Sequence, residues 1–177
     1  MFDIYNSVES GRAYYSEKNA CTTISDFIKL NTDIRSLILC IGTDRYIGDC
    51  LGPVTGSLLK KNGLKQPVLG TLENPVHAVN LKKYISHIKS DYPGHTIIAV
   101  DACLGEEEYV GSIQAKRGAI YPGKGVGKNL PPIGDIAIIG IVDSSDRDEF
   151  LNMHNVRLNL VMKMAEVISE GIYKALK

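Results

Sequence analysis

Apolar and polar positions follow two rhythms along this chain. Short unbroken apolar runs predict buried strands at Leu37–Ile41, Pro67–Thr71, Thr96–Val100 and Asp135–Val142. Between them, apolar residues recur at helical spacing. Thr23–Leu30 puts Ile24, Phe27 and Ile28 on one face. Pro53–Lys61 has a proline near its first turn and Asn62-Gly63 after its end. Val76–Lys89 carries Val76, Val79, Leu81, Tyr84, Ile85 and Ile88 in a stripe. Asp148–Leu176 reads as one long helix with Phe150, Val156, Leu160, Met164, Val167, Ile168 and Ile172 facing inward. Gly111–Ile120 suits a further strand, in which Ile113 and Ala115 alternate with polar neighbours. Tyr121–Leu130 is a glycine-rich loop, and residues 1–20 read as a peripheral arm.

Strands that alternate with helices predict an α/β fold with a mostly parallel (mixed) sheet and helices on both faces. No linker or repeat divides residues 1–177, so a single domain is expected. Composition agrees: 44% of the 177 residues are hydrophobic and 23% are charged, as in a soluble globular chain. Twenty basic residues balance twenty acidic ones, which gives no reason to expect direct nucleic-acid binding. No apolar run approaches the roughly 18 residues of a membrane span, so no membrane partner is expected. Met1–Ser16 lacks the apolar core of a secretory signal. The four cysteines, Cys21, Cys40, Cys50 and Cys103, form no CxxC pair and read as reduced thiols of a cytoplasmic protein.

Chemistry concentrates in two places. Ile41–Pro53 follows one apolar run with glycines at 42, 48 and 52 and acids at 44 and 49. Its spacing is not a dinucleotide fingerprint, and it lacks the lysine of a P-loop. Val100-Asp101-Ala102-Cys103-Leu104-Gly105 follows another run. Carboxyl ends of parallel strands are where ligands gather in α/β folds. Asp49 and Asp101 delivered to one such edge would form a carboxylate pair. A pair of this kind can share a proton and activate water, hold a divalent metal, or fix a basic side chain. The competing readings are a helix cap for Asp49 and a strand-end turn for Asp101. Glu106, Glu107 and Glu108 read as a solvated loop.

His77, between a strand and a helix, and His154 are the candidates for a third metal ligand, and a surface or packing role competes for each. The loop Tyr121–Lys128 nearly imitates a P-loop, but Gly125 stands where a magnesium-binding hydroxyl would be. Its free amides suit a substrate or an oxyanion better. Gly123, Gly125 and Gly127 are therefore the expected substrate-binding positions.

Three ordered segments carry a resemblance. Gly48-Asp49-Cys50-Leu51-Gly52-Pro53 resembles the Pro-Asp-Ala-Leu-Gly-Pro pattern of the germination proteases. Val100-Asp101-Ala102-Cys103 resembles their Ile-Asp-Ala-Leu. Pro122-Gly123-Lys124-Gly125-Val126-Gly127-Lys128 resembles their Pro-Gly-Ser-Gly-Val-Gly-Asn. The chain resembles the YyaC-type sporulation proteins of spore-forming bacteria. More distantly, it is similar to the germination proteases that degrade small acid-soluble spore proteins, and to hydrogenase maturation endopeptidases. The resemblance implies a three-layer α/β/α sandwich of the phosphorylase/hydrolase-like kind, and it carries the family's functional aspartates onto Asp49 and Asp101. In the hydrogenase enzymes the corresponding acids, with a histidine, bind the substrate's nickel. There the first acid is commonly glutamate, and no histidine here matches theirs. Gly48, Cys50 and Lys124 also depart from the germination protease pattern, and the chain is much shorter.

The expected function is a spore-associated peptidase in which Asp49 and Asp101 activate a water. It would use no cofactor or resident metal. Its partner would be a protein or peptide, with small acid-soluble spore proteins as the implied substrate; self-association into a homo-oligomer stays open. The alternatives are a non-catalytic sporulation protein on the same scaffold, and a metal-dependent maturation factor.

Overall fold

The computed structural model describes residues 10–33, 35–122, 130–145 and 156–177. Its centre is a six-stranded sheet: β1 (Ser10–Tyr14), β2 (Ser36–Cys40), β3 (Val68–Leu69), β4 (Thr96–Gly105), β5 (Ser112–Arg117) and β6 (Ile136–Ser144). The order is β1-β5-β6-β4-β2-β3. β6, β4, β2 and β3 run parallel, and β5 is antiparallel to both β6 and β1. The continuous apolar run of β2 is buried at every position, as a strand covered on both faces must be.

Four described helices cover the sheet: α1 (Ala20–Asn31), α2 (Leu51–Lys61), α3 (Leu81–Asp91) and α4 (Leu158–Leu176). α1, α2 and α4 pack on one face, where Ile24, Leu51, Met164 and Ile168 meet Ile38, Val100 and Ile138. α3 covers the other face, where Leu81 and Ile88 meet Leu37, Leu39 and Ala99. The result is the expected α/β/α layering on a mixed, mostly parallel sheet.

Four boundaries differ from the sequence reading, each for a physical reason. Residues 10–14 of the expected peripheral arm pair with β5 as an edge strand, and Ala20 already opens α1. Val76 is not helical. It bridges Ile41, and its carbonyl accepts the Gly42 amide at 2.8 Å, so α3 begins only at Leu81. The expected helix from Asp148 opens at Leu158, because Arg157 is extended; residues 146–155 lie outside the described residues. β4 and β6 run past their apolar stretches, to Gly105 and Ser144, by pairing with each other. That last difference places Asp101 inside a strand rather than at its end.

Candidate active site

The turn after β2 is built by close backbone approach. Gly42 has φ +140°, and a Cβ there would stand 1.9 Å from the Asp49 carbonyl oxygen. That carbonyl accepts the Thr43 amide at 3.0 Å and closes the loop on itself. A Cβ on Gly52 would stand 2.1 Å from the Ile41 carbonyl oxygen, so α2 starts in contact with the end of β2. Only glycine fits these positions. Together they fold Gly48–Cys50 into a single 3₁₀ turn leading into α2.

Asp49 sits in that turn, half-buried. The residue before α2 is Cys50, and no side chain caps either the turn or the helix. The capping role weighed for Asp49 is therefore not what holds it. Burial pushes its pKa from 3.8 up to about 6, with the Thr43 backbone amide pulling the other way.

Asp101 lies one residue beyond the Cys40–Val100 pair, opposite Ile139 of β6. Its Oδ1 accepts its neighbour's amide, Ala102 N–H, at 2.9 Å. Burial and then the negative charge of Asp49 push its pKa up to about 8. The two predicted carboxyls thus share one electrostatic environment. Asp49 ionises first, and its charge then holds the proton on Asp101. Values divided in this order suit Asp49 to the base and Asp101 to the acid near neutral pH.

Neighbouring candidates fall away. Cys103, two residues along β4, is pushed up to about 11 by burial and by Asp101, so it is a neutral thiol. Cys50 donates its Sγ–H to the Ile47 carbonyl at 3.0 Å. Asp44 is exposed. His77 is held locally: its Nδ1 accepts the Val79 amide at 3.3 Å and its own amide reaches Asn80 Oδ1 at 2.8 Å. Among the described residues, no three His, Cys, Asp or Glu side chains converge as a metal site would require. His154, Gly123, Gly125 and Gly127 lie outside the described residues.

The sequence reading missed one acid. Asp143 lies on β6, beside β4, and pairs in register with Leu104 across a bulge. It repeats the arrangement of Asp101: its Oδ1 accepts the following amide, Ser144 N–H, at 2.9 Å. The signal was present in the sequence, because Val142-Asp143 closes an apolar run as Val100-Asp101 does.

Among the described residues no helix is long and apolar enough to cross a membrane. The chain is 43% identical over 176 residues to "Uncharacterized protein YyaC" of Bacillus subtilis (strain 168), covering 96% of this chain and 86% of that one. A family model described as "Protein of unknown function (DUF1256)" matches residues 12–171, and the chain belongs to that family.

Proposed function

We propose that the chain is a peptide-bond hydrolase of the germination protease-like type, working in sporulating cells or spores. The observation that carries this reading is the placement of two acids past the end of β2, Asp49 in the turn that follows it and Asp101 on β4 one residue beyond the Cys40–Val100 pair, with burial pushing both carboxyls up, to about 6 and about 8. Two carboxyls held apart in this way are matched to acid and base work near neutral pH.

Asp49, ionised, takes a proton from a water as its oxygen bonds to the scissile carbonyl carbon. Asp101, protonated, gives its proton to the departing amine nitrogen as the C–N bond breaks. The pair ends with the proton on the other member, and exchange with solvent resets it. The ordered likeness of Gly48–Pro53, Val100–Cys103 and Pro122–Lys128 to germination protease patterns supports the peptide bond as the target. So does the rim of the edge. Tyr46 and Ile47 follow β2, Leu72 follows β3, and Leu104 is the last but one residue of β4; all four are exposed large apolar side chains, 41% to 46% accessible, suited to an extended peptide.

The test is incubation with small acid-soluble spore proteins beside Asp49→Asn and Asp101→Asn. Cleavage by the wild type alone, with a bell-shaped pH profile whose limbs fall near 6 and 8, is the expected result. No cleavage at any pH, or equal cleavage by all three proteins, refutes it.

A further inference from the structure

Register ties Asp101 to one residue on each of three further strands. Asp101 lies opposite Ile139 of β6, Ile139 opposite Gln114 of β5, and Gln114 opposite Arg12 of β1. Directly paired residues share a face of the sheet, so the four side chains form one row across the strands. The alternate positions Val100, Ile138, Ile113 and Ala115 pack in the core under α1, α2 and α4, and a Cβ on Gly11 would meet Phe27 of α1 at 3.4 Å. The row therefore lies on the opposite face, the one that carries α3. No residue of β5 or β1 joins the core cluster under α3, so no described helix covers the far part of the row.

The row is the floor of a trough. On one side of it, Ala99 and Ala137 are fully buried and packed with Ile120 and Ile133, which bridge each other. On the other side, Ile141 and Ser112 are buried. A Cβ on Gly105 would stand 3.0 Å from Ile141 Cγ2, and the Tyr109 ring lies 4.5 Å from the guanidinium carbon of Arg12, so the segment from Gly105 to Tyr109 walls that side. Between the walls, Asp101, Ile139 and Gln114 are half-buried and Arg12 is exposed. Three strand spacings make the floor roughly 14 Å long.

The chemistry along the floor points to its occupant. Asp101 makes the trough continuous with the site already described. Ile139 adds an apolar step. Gln114 follows, and its side-chain amide has no hydrogen-bond partner among the described residues. A carboxamide both donates and accepts, and its complement is a peptide unit, with one carbonyl and one N–H. Arg12, stacked on Tyr109, closes the far end. One carboxylate and one amide do not make a metal site. A long, shallow floor one row wide suits an extended chain rather than a compact ligand.

We infer that this trough binds one arm of the peptide substrate as an extended chain, and that Gln114 holds the chain's backbone about three residues from the cleaved bond. The inference rests on the peptidase reading and gives it a substrate class: unfolded or loop segments, recognised through their backbone more than their side chains.

Two arms test it separately. In the first, the blocked peptide acetyl-Ala-Ala-Leu-Ala-Ala-Ala-amide is titrated into isotope-labelled protein, with the Gln114 side-chain and Ile139 backbone amide signals as readout. Saturable shifts are expected, with binding weakened about 3- to 10-fold in Gln114→Leu. Replacing one peptide bond of the probe at a time by an ester should weaken binding by a similar factor at one position. The ester series needs no variant and decides alone if Gln114→Leu does not fold. No saturable shift, an affinity unchanged in folded Gln114→Leu, or an affinity indifferent to every ester overturns the inference. In the second arm, small acid-soluble spore proteins are cleaved by the wild type and by Gln114→Leu. KM should rise about 3- to 10-fold with kcat within about twofold, the mark of lost uniform binding. Peptide binding without cleavage of any protein keeps the trough and removes the peptidase. Cleavage with KM unmoved by Gln114→Leu, and no peptide binding, removes the trough and keeps the peptidase.

Discussion

Asp49 and Asp101 reach the same edge of the sheet by opposite routes. Asp49 rides on a tight turn that exists because Gly42 and Gly52 let backbone approach backbone. Asp101 sits within the ten-residue strand β4, laddered to β2 up to Val100 and to β6 beyond it. The turn aims its acid by local shape. The strand aims its acid by its register with two neighbours, β2 and β6. The difference teaches where each can be broken. The turn should fail through its backbone, whereas the strand should tolerate change around Asp101 and respond to the charge itself.

The largest expected effect treats the two alike. Asp49→Asn and Asp101→Asn should each lower peptide hydrolysis by about 10²- to 10⁴-fold, the usual contribution of a positioned acid or base. Steady-state kinetics on a cleaved peptide check this. A loss confined to one variant would mean that the acids do not act as a pair.

Gly42→Ala should separate the two regions. Its Cβ meets the Asp49 carbonyl at 1.9 Å, and the backbone is at φ +140°, so about 3 kcal/mol of stability should be lost. Urea unfolding measures the loss. Ala102→Gly, beside Asp101 on the ladder, should cost less, about 1 kcal/mol.

The next effect is pH-dependent. Both acids have folded-state pKa values above 3.8, so between about pH 4 and 8 the folded chain holds protons that the unfolded chain has released. Stability should therefore fall as pH rises through that window. Asp101→Asn removes the buried charge. It should be more stable than the wild type at pH 8, with the gain vanishing below pH 4. Melting temperatures across the range check the sign. The smallest effect belongs to Cys103→Ser, which should change the rate by less than about twofold, because a thiol raised to about 11 is not the nucleophile.

Much of this was legible in the sequence. The unbroken run Leu37–Ile41 and the alternation around Ile113 named their strands, because burial on two faces or one leaves that imprint. Asp49 and Asp101 stood out as acids following apolar runs. What escaped depended on partners distant in sequence. Val76 looks helical until Ile41 is known to pair with it. β4 and β6 seem to end at their acids until each is seen extending the other. Asp143 was lost for the same reason, since the run to Val142 appeared complete without it. Asp49's freedom from capping was not readable either, because Asp before a proline-containing helix start fits both roles until the turn geometry is seen.

The most direct test is a carboxyl NMR titration of the wild type and of Asp49→Asn. In the wild type, Asp49 should titrate near 6 and Asp101 near 8. In Asp49→Asn, the Asp101 step should move down, because the charge that held its proton is gone. Two carboxyls titrating independently near 4, or an Asp101 step indifferent to Asp49, would show that the two acids do not share a proton.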